Sequence, residues 1–366
     1  MGTSKEVAVL RLLPRRSNDV TYFTNDLAQE LEGLRDGPPG WWLRGEGDTR
    51  VASDVARVLV TSGRSAIYGY DVVIAAPRPF SVLLAVDPEH ASGVVAAHRA
   101  SVRAAMSYLE DRALVVRETR GGDRHQHAAS WRSVVSFTHG LNRHGEPHLH
   151  DHVLIGARPA GERNVLDSRA LYAHAPSADA LYRASLRHEL NQRTPWSAWR
   201  SFEGVEHVLG LDEGYRALWS GHHRDRGEKL TWSRDETTSS WNRDRERFEP
   251  MGELAVPPRD RSVLDEHRFS GALEGRRDVA RRHVLAAWAD AAPFGQKSSD
   301  LTRALDALYP RLRAGGGVHE ATIGVREARM MNTVRELGPR PLDRSEFDQW
   351  RQRSRERSRS RDERSR

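Results

Sequence analysis

The stretch FTHGLNRHGEPHLHDHVLI, residues 137–155, constrains this chain more than any other. It holds five of the chain's 17 histidines, all between His139 and His152. Two apolar-flanked runs enclose the segment Gly140 to Pro147. Glycine, asparagine and proline supply turn conformations there, so the runs are expected to pair as an antiparallel hairpin. On a strand, residues two apart share a face. That puts His148, His150 and His152 in one row, with Leu149 and Asp151 opposite. His139 ends the preceding strand and can face the row across the hairpin. The continuation Val153-Leu154-Ile155 favours a packed strand over a solvated loop. Imidazoles converging from two strands suit a divalent ion with open coordination positions (Mg, Mn or Zn) acting as a Lewis acid. A second H-x-H, His125 and His127, lies in a Gly/Asp/Arg-rich loop without apolar flanks and reads as surface.

Composition narrows the chemistry. The 366 residues include no cysteine, which excludes disulfides, iron–sulfur clusters and thiolate zinc sites. Any metal must be held by nitrogen and oxygen. No apolar run approaches the roughly 18 residues of a membrane span. MGTSKEVAVLRLLPRR has no signal-peptide pattern, so a cytoplasmic location is expected. The formal charge is +6, but the last sixteen residues, RQRSRERSRSRDERSR, carry eight arginines and three acids and so supply +5 of it. The high pI therefore does not mark the folded part as a basic nucleic-acid binder. No GxxxxGK[ST] occurs, so no P-loop of the usual kind is expected.

Periodicity predicts a mixed α+β order, with an antiparallel pair carrying the histidines. Strands are expected at 6–13, 70–77, 114–120, 131–139 and 148–158, and helices at 88–113 and 178–193. Residues 1–255 are expected to form the catalytic domain, 256–350 a helical region after the Pro-rich PMGELAVPPRD, and 351–366 a disordered Arg/Ser tail.

F-x-H followed eleven residues later by H-x-H, with P-x-L before the pair, resembles the third motif of MobF-type (TrwC/TraI-like) conjugative relaxases, a group of HUH endonucleases. The matching residues are Phe137, His139, Pro147, Leu149, His150 and His152. The resemblance implies that His139, His150 and His152 are the metal ligands and His148 an extra neighbour. A literal histidine–hydrophobe–histidine reading would choose His148 and His150 instead. GYDVVIAAPRPFSVLLA (69–85) is similar to the family's G-Y-D strand and A-P-K-S-V-S segment, matching at Gly69, Tyr70, Asp71, Ala76, Pro77 and Ser81. Arg78-Pro79-Phe80 depart from it. By resemblance Asp71 orients a ligand imidazole or accepts the nucleophile's proton. DVTYFTNDL resembles the N-Y-Y-T segment that supplies the nucleophile, which makes Tyr22 the implied catalytic tyrosine. Phe23 stands where many relatives have a second tyrosine. The likeness covers roughly residues 6–250 and is weakest at 35–65.

The resemblance implies an α+β fold with a central antiparallel sheet and flanking helices. It also implies strand-specific nicking of single-stranded DNA at a transfer origin, through a covalent 5′-phosphotyrosyl intermediate. The implied partners are that DNA, a secretion-system coupling protein, accessory DNA-binding proteins and a separate helicase, since no helicase portion is present. Such an enzyme grips phosphates with Lys/Arg and bases with aromatic faces. The candidates are Arg15, Arg16, Trp42, Arg44, Arg78, His148, Trp196, Trp199 and Arg200, with Trp41, Arg224, Arg226, Lys229, Trp232 and Trp241 as further basic–aromatic positions. Two alternatives stay open: an HUH replication initiator, and a catalytically silent DNA-binding relative.

Overall fold

The structure is a computed structural model that describes residues 9–16, 67–131, 134–142, 144–159, 161–201, 204–211, 213–219, 234–246, 263–274, 276, 279–314 and 340–341. They fall into two compact units: Val7–Ala178 with Gly214–Phe248, and Asp179–Glu213 with Glu249–Arg366 and Met1–Glu6. The architecture is α+β. Among the described residues no helix is long and apolar enough to cross a membrane.

The first unit is built on a four-stranded sheet of β1 (Leu10–Arg15), β2 (Gly69–Ala75), β5 (Val134–Leu141) and β6 (Pro147–Gly156). Their order is β1-β2-β6-β5, and every pairing is antiparallel. Directly paired residues share a face, so the ladder sorts side chains into two sets. One set holds Leu10, Leu12, Val72, Ile74, Asp151, Val153, Val134 and Ser136, all buried. The helix α2 (Ala91–Ala113) meets this face, where His98 reaches Asp151. The other set carries Arg11, Leu13, Asp71, Val73, Phe137, His139, His150 and His152. Gly69 is required by the close pairing of β2 with β6, because a Cβ there would lie 2.2 Å from the Ile155 carbonyl oxygen.

Local chemistry explains where the elements differ from periodicity. The segment Arg78–Val86 is a helix, α1, with Pro77 at its N-cap and seven of its nine residues forming the apolar stretch from Phe80 to Val86. Proline is tolerated in a first helical turn, where the amide N–H has no intrahelical partner. Because α1 is buried on nearly every side it has no polar stripe for periodicity to detect. Residues 123–128, expected as loop, form β4 (Asp123–Ala128) against β3 (Val115–Arg120). Gly121 and Gly122, at φ 61° and 94°, make the two-residue turn, and consecutive positive φ values are what a type I′ hairpin needs. His125 and His127 thus lie on a strand, though still at the surface. The helix expected at 178–193 begins ten residues earlier, as α3 (Ser168–Arg193), where the Asp167 carboxylate accepts from the Arg169 amide.

The second unit takes the C-terminal part of α3, the ribbon β7 (Ala198–Arg200) and β8 (Glu206–Val208), and helices including α6 (Glu266–Leu273) and α7 (Arg281–Ala291). Phe269 and Trp288 meet edge to face in its core. Three residues expected as DNA contacts lie here. Trp196, Trp199 and Arg200 are only 3%, 5% and 2% exposed. Trp199 stacks on His207 and Arg200 donates to Glu206 at 2.7 Å, so these groups serve the interior of this unit.

Candidate metal centre

Pairing in the sheet assembles the histidines. His139 on β5 stands opposite His150 on β6, and Phe137 opposite His152. The ring centroids of His139, His150 and His152 form a near-equilateral triangle with sides of 5.1, 5.2 and 5.2 Å. One nitrogen from each lies within 4.8 Å of the others. All three residues are 7–8% exposed. They are the residues the relaxase resemblance selects.

Hydrogen bonds fix which nitrogen is offered. Nδ1 of His152 lies 2.8 and 3.1 Å from the two oxygens of Asp71. A carboxylate accepts, so Nδ1 carries the proton and Nε2 keeps its lone pair. Asp71 reaches it diagonally: it pairs with Leu154, two residues beyond His152 on the same face. His150 obeys the same logic, with its Nδ1 2.7 Å from the His148 carbonyl oxygen. Burial, reinforced by His148, His139 and His152, holds the His150 imidazolium well below its ordinary pKa. His148 is pushed down to about 4 by burial and then by Arg78. Neutral imidazole is the ligand form, and two of the three histidines have outer partners that set tautomer and aim. That all-nitrogen donor set fits a borderline divalent ion such as Zn²⁺.

His148 sits at the end of the row, its ring 4.8 Å from that of His150, outside the converging three. Asp71 lies beside His152. Arg15 and the exposed Arg16 end β1, where Arg15 pairs with Gly69, whereas His150 pairs with Ala75 at the far end of β2. Arg78 donates from Nη1 to the Pro147 carbonyl oxygen at 2.9 Å and stands 3.8 Å from Glu146. Tyr22, Trp42 and Arg44, with Trp41, Arg224, Arg226, Lys229 and Trp232, lie outside the described residues, as does the Arg/Ser tail.

Three features escape sequence reasoning. Arg11 is exposed on the histidine face, two pairs along β1 from Leu13, itself opposite Asp71; its signal was the alternation Leu10-Arg11-Leu12. On the opposite face, Asp151 between His150 and His152 is fully buried, 3.0 Å from His98 Nε2 and accepting from Ser136 Oγ at 2.6 Å. Burial alone would raise the Asp151 carboxyl, but His98 and the donated hydrogen bonds outweigh it and hold it far below the usual range. Third, Trp241, one member of an expected basic–aromatic region, is buried and donates from Nε1 to the Gly145 carbonyl at 2.9 Å.

Comparison with known proteins gives one family. The model described as TrwC relaxase matches residues 13–260. Similar solved structures include the conjugative relaxase TrwC in complex with oriT DNA, metal-bound, at 18% identity and TM-score 0.47 over 65% of this chain and 98% of that one. TrwC complexed with a 27-mer DNA comprising the recognition hairpin and the cleavage site is similar at 19% identity and TM-score 0.48, over 65% and 98%. A copper-bound TrwC complex with oriT DNA has 17% identity and TM-score 0.46, over 90% and 98%. Comparison with curated proteins gives no match.

Proposed function

From this chain's place in the TrwC relaxase family, to which it belongs by the match over residues 13–260, we propose that it nicks one strand of single-stranded DNA at a transfer origin. The observation that carries the reading is the triangle of His139, His150 and His152, with His152 aimed by Asp71. These three residues would hold a divalent ion, which when bound supplies a Lewis acid to a phosphate oxygen.

The chain's own residues do the rest. Tyr22 is the nucleophile: its phenolic oxygen bonds to phosphorus, and the bond from phosphorus to the 3′ oxygen breaks. The products are a 5′-phosphotyrosyl strand and a strand ending in a 3′-hydroxyl, which takes up a proton. An ordinary phenol has a pKa near ~10, so the proton needs an acceptor at neutral pH. Asp71 is the carboxylate on the histidine face and takes that role beside its hold on His152. The phosphodiester energy is kept in the phosphotyrosine, so the step reverses when the 3′-hydroxyl attacks. Arg11, Arg15 and Arg16, all on β1 or its end, are the cations proposed to meet the DNA backbone, joined by Trp42 and Arg44. A coupling protein, accessory DNA-binding proteins, a separate helicase and a cytoplasmic location belong to the same proposal.

The test is cleavage of a labelled single-stranded oligonucleotide pool with Mn²⁺, using the full chain and Tyr22→Phe. The expected result is a protein–DNA adduct that survives denaturant and is absent with Tyr22→Phe. An adduct that persists in the variant removes Tyr22 as nucleophile. Binding without any adduct in the unaltered chain supports a silent DNA-binding protein instead.

A further inference from the structure

We infer that Arg78 and Trp241 are positioning residues, a latch that holds the turn of the histidine hairpin and thereby aims His150; the inference rests on the reading of the three histidines as a metal site. The hairpin is weakest just where the site needs it firm. Its register shifts between His139 and Leu141, so the regular ladder ends at the His139–His150 pair. The next pair is Leu141 with Pro147, and proline has no N–H to give a ladder. A bulge and a proline together leave residues 145–148 poorly held by their own sheet. Yet the His148 carbonyl, in that segment, is the acceptor that fixes the His150 ring.

Two side chains from elsewhere in the first unit supply what the ladder lacks. Arg78, in the first turn of α1, donates to the Pro147 carbonyl at 2.9 Å across 69 residues of sequence, with Glu146 at 3.8 Å. Trp241, on the helix α5 (Arg234–Arg245), donates to the Gly145 carbonyl at 2.9 Å across 96 residues. Inside the turn, the Asn142 side chain accepts from the amides of His144 and Glu146 and donates to the Glu146 carboxylate. Beyond it, the Leu149 amide donates to Ser81 Oγ, again on α1. Among the described residues, hydrogen bonds thus reach residues 145–149 from side chains of α1 and α5 and from the Ala76 amide, which donates to the Leu149 carbonyl. A guanidinium directed at a carbonyl and a carboxylate of its own chain is not aimed at a DNA phosphate. Arg78 therefore acts through the turn.

The experiment titrates Co²⁺ into the DNA-free full chain and into Arg78→Ala, Arg78→Lys and Trp241→Phe, reading affinity by calorimetry and coordination by visible absorption. Loss of an outer partner typically weakens metal binding about 10–100-fold. The expected result is a loss of at least about tenfold in Arg78→Ala and Trp241→Phe with a changed Co²⁺ spectrum, and recovery in Arg78→Lys, whose amine can still donate. In parallel, the salt dependence of single-stranded DNA binding is measured without metal. The latch predicts an unchanged slope for Arg78→Ala, whereas a lost phosphate contact lowers it by about 0.7. Co²⁺ binding at unaltered affinity and spectrum in both variants overturns the latch and leaves the metal site standing, and a reduced slope then makes Arg78 a DNA contact. If the unaltered chain binds no Co²⁺, the metal reading fails and the latch with it. Should Arg78→Ala not fold, Trp241→Phe, which keeps an aromatic ring and removes the Nε1 donor, decides the matter.

Discussion

At the scale of the residue, His150 and His152 are defined by what their Nδ1 atoms touch. His152 is held by the charged Asp71 and His150 by a neutral carbonyl, so the two should respond differently to change around them. Asp71→Ala is expected to weaken divalent-ion binding by about 10–100-fold. Asp71→Asn should be milder on the ion, since its amide oxygen still accepts from Nδ1, but should slow cleavage as strongly because it takes up no proton. Mn²⁺ calorimetry beside single-turnover nicking separates the two. The histidine row was legible because period-two spacing on a strand is a strong geometric rule. Asp71 was legible only through family likeness, since an isolated aspartate at a strand entry more often makes a turn. The Asp151–His98 pair was not legible at all: its members lie 53 residues apart, and no local pattern links a helix histidine to an aspartate on the hidden face of a strand.

At the scale of the element, that buried pair braces β6 against α2. Both side chains are fully buried, and removing one partner of such a pair strands the other without compensation. Asp151→Leu is expected to destabilise the fold by about 3–5 kcal/mol, and adding His98→Leu should recover part of the loss. Urea unfolding of the two variants checks this; equal losses in single and double variants would show that the pair does not act as a unit. The N-terminus of α3 offers a pH test. Burial alone would raise the Asp167 carboxyl, but the Arg117 guanidinium, the Arg169 amide and Gln126 outweigh it and keep it below the usual range. A carboxyl lowered in the folded state binds fewer protons there than when unfolded, so its stabilisation is complete above the unfolded value of about 4 and is lost as pH falls below it. Asp167→Ala is therefore expected to cost about 1–2 kcal/mol at pH 7 and much less near pH 2, by urea unfolding at each pH. Strands β2, β5 and β6 and helix α2 were readable from alternation and helical spacing. Helix α1 was not, because a helix buried all round has no amphipathic signature, and β4 was not, because the ribbon Asp123–Ala128 carries no apolar alternation.

At the scale of the whole molecule, the family accounts for residues 13–260, and the histidine triangle and Asp71 lie in the first unit. Tryptophans and arginines adjacent in sequence were expected as DNA-gripping patches, and in the second unit several of them are buried. In the second unit Arg187 and Arg200 converge on Glu206, and Trp196, Trp199 and Trp288 are interior; basic and aromatic residues pack a core as readily as they line a surface. Interior charge of this kind is specific about its partner. Glu206→Gln is expected to destabilise the second unit by about 3 kcal/mol or more, because two buried guanidiniums lose their shared anion, and hydrogen exchange resolved to residues 179–213 would report it.

The central claim is that His139, His150 and His152 hold the ion on which strand cleavage depends. The most direct measurement incubates the full chain and its His150→Ala/His152→Ala variant with labelled single-stranded transfer-origin DNA, with Mn²⁺ or with EDTA, and counts denaturant-stable protein–DNA adducts alongside DNA affinity. Adducts are expected only from the unaltered chain with Mn²⁺, while the variant still binds the strand. Adducts forming undiminished in EDTA, or from the variant, would contradict that claim.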